Sequence, residues 1–406
     1  MTKPKVFEKP TGVKDYLPHA VSKLRRIERD VLACMRRWGY EQIMTPTIEY
    51  YDTVGVASAT SDQKLFKLLN QRGTTIVLRS DMTAPIARVV GSLLKDERFP
   101  IRLSYHGNVF RAFEEEGGRE AEFYQTGVEL VGDASPEADA EVIALAIASL
   151  QAAGVPSFKI AMGHVGFLNG LFSETLPGLE SEQEALKACL LQRDHVGYRD
   201  EIRKLSVDAA RQRELENILR LRGGKDVCAQ ALELSANEGA RAAIGHLCEV
   251  WDALEAYGLQ EHVLIDLTMI GDFSYYTGMT FEGYASQLGF PVVSGGRYDN
   301  LLAQFGRPAA ATGFALKTTR ILEVVGDAAE EETRVLIVYD ESERKAAFAD
   351  ARHRRSQGQS VVTESFSAAN VEGLKASREF KDGTFSYKGK NYHGLVCIGK
   401  EAEGWV

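Results

Sequence analysis

Two short stretches of the 406-residue chain hold side chains that could grip a small polar ligand. In 270–283, Tyr275-Tyr276-Thr277-Gly278 packs two phenols, a hydroxyl and a glycine into four residues of a β-rich run. A few residues on, Gly295-Gly296-Arg297-Tyr298-Asp299 offers backbone that a ligand can approach closely, followed by an Arg and an Asp. Successive strand residues face opposite sides, so only one of Tyr275 and Tyr276 is expected to point into a cavity. Gln125 and Glu129 stand four apart in a strand-like run and therefore share a face. Asp81 and Thr83 precede a helical run, where both residue types are favoured caps; capping and binding can coexist. Each piece alone also reads as an aromatic strand, a glycine turn or a cap.

The elements that must position these side chains follow from periodicity. Leu24, Ile27, Val31, Leu32, Met35 and Trp38 recur at helical spacing, which predicts an amphipathic helix of about five turns. Residues 42–49 read as a strand interrupted by Pro46, suited to an edge or interface. Runs 64–69 and 75–78 flank Gln71-Arg72-Gly73 as a hairpin. Strands are expected over 101–111 and 122–131, joined by a loop rich in Glu and Gly. Ser135-Pro136 starts a helix by capping rules, with a short strand at 159–163 after it. Helical patterning then dominates about 165–258, and 312–322 reads as strand into helix. An acidic linker at 326–333 precedes a β-α-β tail over 334–406.

Composition limits the function classes. The formal net charge of −9 argues against a protein whose main task is gripping a polyanion. From Arg334 onward 12 Lys/Arg face 10 Asp/Glu, too balanced to signal an RNA-binding face. No apolar run reaches about 18 residues and no signal peptide is visible. Five cysteines lie scattered without CxxC or zinc spacing, which reads as free thiols in a reducing cytoplasm and no metal.

Together, the two glycine- and tyrosine-containing stretches resemble the histidine-specific signatures of histidyl-tRNA synthetase. The helix, strand, Pro and Glu of 20–49 are similar to motif 1 of class II aminoacyl-tRNA synthetases, the dimer-forming element. The strand–loop–strand of 101–131 resembles motif 2, and 312–322 motif 3. The resemblance runs from Gly12 to about Ile398 with the elements in synthetase order. It implies an α+β fold: a class II synthetase-like antiparallel sheet core flanked by helices over 1–325. A helical insert (about 165–258) and a small C-terminal α/β domain, like a shortened anticodon-binding domain, complete it. Asp81 and Thr83 then match residues that hold an amino-acid ammonium, and Gln125 and Glu129 residues that line a histidine pocket. Arg111 matches an α-phosphate Arg and Arg320 a γ-phosphate Arg.

The same comparison exposes gaps. The first signature of that family opens with an Arg, and Gly271 stands here. Phe113 replaces a Glu, Glu115 a Pro, and Ala121 a second Arg, leaving Arg119 as the loop's only cation. Lys317 replaces a Gly under the adenine and Thr319 a Glu. Adenylation builds charge on phosphoryl oxygens, and one lost preorganised donor typically costs roughly 10²–10³ in rate. Glu114-Glu115-Glu116 would repel a triphosphate and a tRNA end. ATP chemistry therefore looks dismantled, while Asp81, Thr83, Arg111, Gln125, Glu129 and the Tyr275–Tyr276 pair could still hold histidine.

This combination resembles the regulatory subunits of ATP phosphoribosyltransferase, synthetase-like proteins of bacterial histidine biosynthesis. That resemblance implies a cytoplasmic chain without catalysis or cofactor of its own. It implies a short-form catalytic subunit as partner in a hetero-octamer, four of each, with L-histidine as allosteric ligand. Self-association through the synthetase-like dimer interface belongs to the same picture, with no membrane and no tRNA expected. An active histidyl-tRNA synthetase, or a degenerate paralogue with another role, remains the alternative.

Overall fold

The computed structural model describes residues 8–112, 120–270, 275–326, 333–365 and 384–399. They fall into two compact units, Met1–Gly326 and Asp327–Val406. The linker expected at 326–333 lies almost wholly outside the described residues.

The first unit starts with α1 (Pro18–Arg37), which has Pro in its first turn and Arg36 and Arg37 in its last. Those placements suit the fixed proline φ and the partial negative charge at a helix C-terminus. Its apolar stripe, Leu24, Ile27, Val31 and Met35, is buried as the spacing predicts. The strand expected over 42–49 divides into β1 (Glu41–Gln42) and β2 (Ile48–Tyr50), which join different sheets. Pro46 has no N–H to give a ladder, and the chain turns there. The buried Arg79 guanidinium takes up the freed Thr45 carbonyl at 2.7 Å.

A small antiparallel sheet follows, made of β2, β3 (Lys67–Leu69) and β4 (Thr75–Leu78). After it come α2 (Thr83–Ser92), β5 (Ile101–Phe110), β6 (Glu122–Val131), α3 (Pro136–Ala152) and β7 (Phe158–His164). Ser135 caps α3 by accepting from the Ala138 N–H, 3.2 Å. The insert comprises α4 (Val165–Thr175), α5 (Glu180–Leu191), α6 (His195–Lys204), α7 (Ala209–Asn217), β8 (Arg222–Gly223), α8 (Asp226–Leu234) and α9 (Glu238–Ala256). The helical patterning expected over 165–258 is broken after α7 ends at Asn217, and β8 is an edge strand instead. Gly223 and Gly224 are poor helix residues and favour that break. Then come β9 (Val263–Asp266), β10 (Met279–Ala285), β11 (Pro291–Arg297), β12 (Ala311–Lys317) and α10 (Thr318–Val324).

The main sheet has nine strands in the order β1-β5-β6-β12-β11-β10-β7-β9-β8. Its central pairings are antiparallel, and β1–β5 and β7–β9 add parallel pairs toward the flanks. Helix α3 is apolar nearly all round and buried, packed on β12, α1 and α9, as expected for a helix with no solvated face. This side of the sheet holds the large core. A second core forms where α2 meets Leu103, Tyr105, Val109, Tyr298 and Leu301. The α+β, class II synthetase-like architecture is therefore present.

The second unit has a parallel sheet, β14-β13-β17, from β13 (Arg334–Tyr339), β14 (Ser360–Ser365) and β17 (Gly394–Ile398). Helix α11 (Arg344–Ser356) packs on one face. The β15 (Phe385–Tyr387) and β16 (Lys390–Tyr392) hairpin buries Phe385, Tyr387 and Tyr392 with Leu336 and Val338. Among the described residues no helix is long and apolar enough to cross a membrane.

Candidate functional site

Strand register brings the site together. Glu129 of β6 lies opposite Gly313 of β12, Gly313 opposite Gly296 of β11, and Gly296 opposite Thr280 of β10. One step along, Gly127, Ala315 and Ser294 form the next row. The sheet therefore presents a floor of small residues beside one acid. The absence of side chains is required there. A Cβ on Gly313 would overlap the Glu129 carboxylate, and one on Gly296 would meet the Tyr276 ring at 2.9 Å.

On this floor sits a cavity of about 90 Å³, lined by Asp81, Thr83, Tyr105, Arg111, Gln125, Glu129, Tyr275, Tyr276 and Tyr298 with the glycines. Its volume is well beyond the roughly 10–15 Å³ that one water needs. All seven residues singled out from the sequence face this one space. Asp81 both caps and lines: one oxygen accepts from the Ala84 N–H at 3.0 Å, the other from the Ser58 hydroxyl. The turn that carries Asp81 is braced by Arg79, whose guanidinium lies over Gly107 and donates to the Asn108 carbonyl at 2.8 Å.

Glu129 is completely buried, and the Tyr298 phenol and the Thr83 hydroxyl donate to it. Burial, with Asp81 nearby, outweighs those two donors and pushes its carboxyl up to about 8. Arg111 is the facing cation. Its Nε donates to the Ser80 carbonyl at 2.8 Å, and its ring neighbour is Phe123. Burial pulls the Arg111 pKa down, and Asp81 works against that. The Tyr275 ring stacks on Tyr298 at 5.4 Å and meets Tyr276 edge-on at 5.1 Å. Burial, then Glu129, holds the Tyr275 and Tyr298 phenols far above their ordinary value.

Two expectations need correction. Tyr275 and Tyr276 both line the cavity, because this part of the chain is a turn and β10 begins only at Met279. Strand alternation therefore does not apply to them. Arg297 points away, to the opposite face. It pairs with the buried Asp139 of α3 at 3.0 Å, and Asp299 accepts from the Ala311 N–H at 2.9 Å. Within Gly-Gly-Arg-Tyr-Asp, the side chain that reaches the cavity is Tyr298.

The arrangement suits a small zwitterion with a flat cationic or polar ring. Two carboxyls and four phenols face such a ring and an ammonium, Arg111 can meet a carboxylate, and the glycine floor admits close stacking. Among the described residues no cluster of three or more His, Cys, Asp or Glu could hold a metal ion.

Known proteins share this frame. A profile of the histidyl-tRNA synthetase family matches residues 12–321. The ATP phosphoribosyltransferase regulatory subunit of Bacillus licheniformis is 46% identical over 357 residues, covering 88% of this chain and 91% of that one. The chain belongs to the family of ATP phosphoribosyltransferase regulatory subunits. A crystal structure from Bacillus halodurans, described as an ATP phosphoribosyltransferase regulatory subunit/histidyl-tRNA synthetase, superposes with a TM-score of 0.87. It is 41% identical and covers 98% of this chain and 100% of that one. The histidyl-tRNA synthetase of Nostoc sp. PCC 7120 shares the fold at 19% identity and a TM-score of 0.79, over 98% and 93% of the two chains.

Of the residues matched to the ATP half of a synthetase site, Arg111 lines the cavity. Lys317 shares its sheet face with Ala315, which lines the cavity. Burial, and then Arg320, push the Lys317 ammonium down to about 7. Arg320 donates to the Pro291 carbonyl at 2.9 Å and lies over the Phe290 ring. Thr319 accepts from the Tyr124 N–H at 3.3 Å, and Ala121 is buried. Gly271, Phe113, the 114–116 glutamates and Arg119 lie outside the described residues. Sequence reasoning missed Tyr105, Ser294 and Phe314 as cavity residues. Tyr105 stands opposite Gly127 in the β5–β6 ladder, and a bulky aromatic facing a glycine across a hairpin was the available signal.

Proposed function

We propose that this chain is the non-catalytic regulatory subunit of ATP phosphoribosyltransferase and that the cavity is its sensor for L-histidine. The observation that carries the reading is the convergence of Asp81, Thr83, Arg111, Gln125, Glu129, Tyr275 and Tyr276 on one cavity. Asp81 would take the ammonium, Arg111 the carboxylate, and Glu129 with Gln125 and the tyrosine wall the imidazole. Each is a charge-assisted or aromatic contact that a free amino acid can satisfy. The glycine at 271 and the ammonium of Lys317 on the neighbouring floor leave adenylation without its usual cation and its flat adenine bed.

In this reading the chain joins a short-form catalytic subunit, four of each, and histidine favours the less active arrangement of the complex. Feedback is then a coupling free energy, so the catalytic subunit and its substrates must change histidine affinity by the factor that histidine changes theirs. The test is calorimetric titration of histidine into the wild-type chain and Glu129→Ala, with and without ATP, and again with the catalytic subunit. Binding that is lost in Glu129→Ala and indifferent to ATP supports the sensor. Histidine binding that appears only in the complex moves the sensor to the subunit interface. Binding strengthened by ATP with release of pyrophosphate returns the chain to the synthetases.

A further inference from the structure

None of the five cysteines is in a disulfide, and two of them lie on neighbouring helices. Cys228 on α8 and Cys248 on α9 come from helices packed against one another in the insert. Cys228 belongs to the buried core against which Cys248 packs, and Cys248 acts on the Cys228 thiol. An independent contact fixes the same register: Lys225, one turn before Cys228, pairs with Asp252, one turn after Cys248. Cys228 is buried, while Cys248 is partly open to solvent. A small oxidant can therefore reach one sulfur, with the other already beside it.

We propose that Cys228 and Cys248 form a reversible disulfide under a peroxide-class oxidant, locking α8 to α9. The Cys248 thiol reacts first, its sulfur taking one peroxide oxygen to give a sulfenic acid and one water. The Cys228 sulfur then attacks the Cys248 sulfur, the S–S bond forms and the S–O bond breaks. The departing hydroxyl leaves with the Cys228 proton as a second water. Two thiols lose two electrons, peroxide gains them, and a dithiol reductant reverses the change. Burial and the adjoining Cys248 hold the Cys228 thiol protonated, so peroxide, which reacts with thiolate, does not take Cys228 first.

The lock sits on α9, which packs against α3 and β7. Two residues before Cys248, His246 lies 3.2 Å from Asp139, and Asp139 holds Arg297 between the cavity residues Gly296 and Tyr298. Oxidation therefore stiffens the element that backs the far side of the site. This inference does not depend on what the cavity binds.

The experiment is titration of the full chain with hydrogen peroxide, followed by peptide mapping and thermal melting. The expected product has lost two hydrogens, with Cys228 and Cys248 joined in one cross-linked peptide pair. Closing a loop of about 20 residues should raise the melting temperature by roughly 5 °C, and dithiothreitol should reverse it. Cys248→Ser should abolish both the cross-link and the shift, and Cys228→Ser should leave Cys248 to oxidise without a melting gain. Oxidation that stops at sulfinic acid on Cys248, a cross-link elsewhere, or a cross-link with an unchanged melting temperature overturns the proposal.

Discussion

Replacing Glu129 by Gln keeps the side-chain shape and one carbonyl acceptor and removes the ionisation, so it tests the electrostatics of the cavity. In the folded protein the Glu129 carboxyl is pushed up to about 8 from an ordinary 4.5. Folding therefore favours its neutral form, and the folded chain binds more protons than the unfolded one between those values. Stability is highest below the lower value and falls as pH rises, by about 1.4 kcal/mol per unit, until the folded carboxyl ionises. The full loss approaches an upper bound near 5 kcal/mol above pH 8. The amide of the Glu129→Gln variant cannot ionise and carries no such slope. The difference in unfolding free energy between Glu129→Gln and wild type should thus grow by several kcal/mol in favour of the variant from pH 5 to pH 9. Urea unfolding of both proteins at pH 5, 7 and 9 measures it, and all other titrating groups cancel in the difference. A difference constant within about 0.5 kcal/mol would refute the reasoning and place Glu129 in a solvated or cation-paired environment.

Asp81→Asn keeps the cap on Ala84 but removes the charge expected under the ligand ammonium. Histidine affinity should fall about 10–100-fold by calorimetry while the melting temperature stays close to wild type; unchanged affinity would remove Asp81 from the site. Gly313→Ala places a methyl against the Glu129 carboxylate and the Val128 carbonyl. It should abolish binding and cost roughly 1–3 kcal/mol of stability in urea unfolding, and a neutral effect would mean that the floor yields. For Lys317 the folded value lies near 7, below the ordinary 10.5, so stability is lost as pH falls through that window. Lys317→Met should be more stable than wild type at pH 6 and converge with it near pH 10, read by thermal melting at the two pH values.

What could be read from the sequence was whatever depends on local order. The cap chemistry of Asp81, the four-residue spacing of Gln125 and Glu129, and the buried stripe of α1 are properties of short windows, and all three appear in the structure. What could not be read depends on register and on where a strand begins. Tyr105 becomes a wall residue only because β5 pairs with β6 so that Tyr105 faces Gly127. Tyr275 and Tyr276 share one cavity only because β10 starts three residues later than the aromatic pattern suggests. Arg297 looked like ligand chemistry, yet strand alternation sends it to Asp139 while Tyr298 takes the cavity side.

The cavity that results holds two carboxyls close enough for Asp81 to raise the Glu129 value, with Arg111 as the nearby cation. Burial, reinforced by the Asp81 charge, resists ionisation of Glu129, so the site rests with Glu129 protonated at neutral pH. A cationic ligand removes the reason for that proton, because it supplies the missing positive charge where water cannot. Occupancy and proton release are then linked. The apparent binding enthalpy at pH 7 should vary with the ionisation enthalpy of the buffer, with a slope that vanishes in Glu129→Gln. In the proposed reading the site's task is recognition of charge and shape. That is what a sensor requires: a ligand-dependent change in the balance of a few buried charges, passed to the strands and helices that hold them.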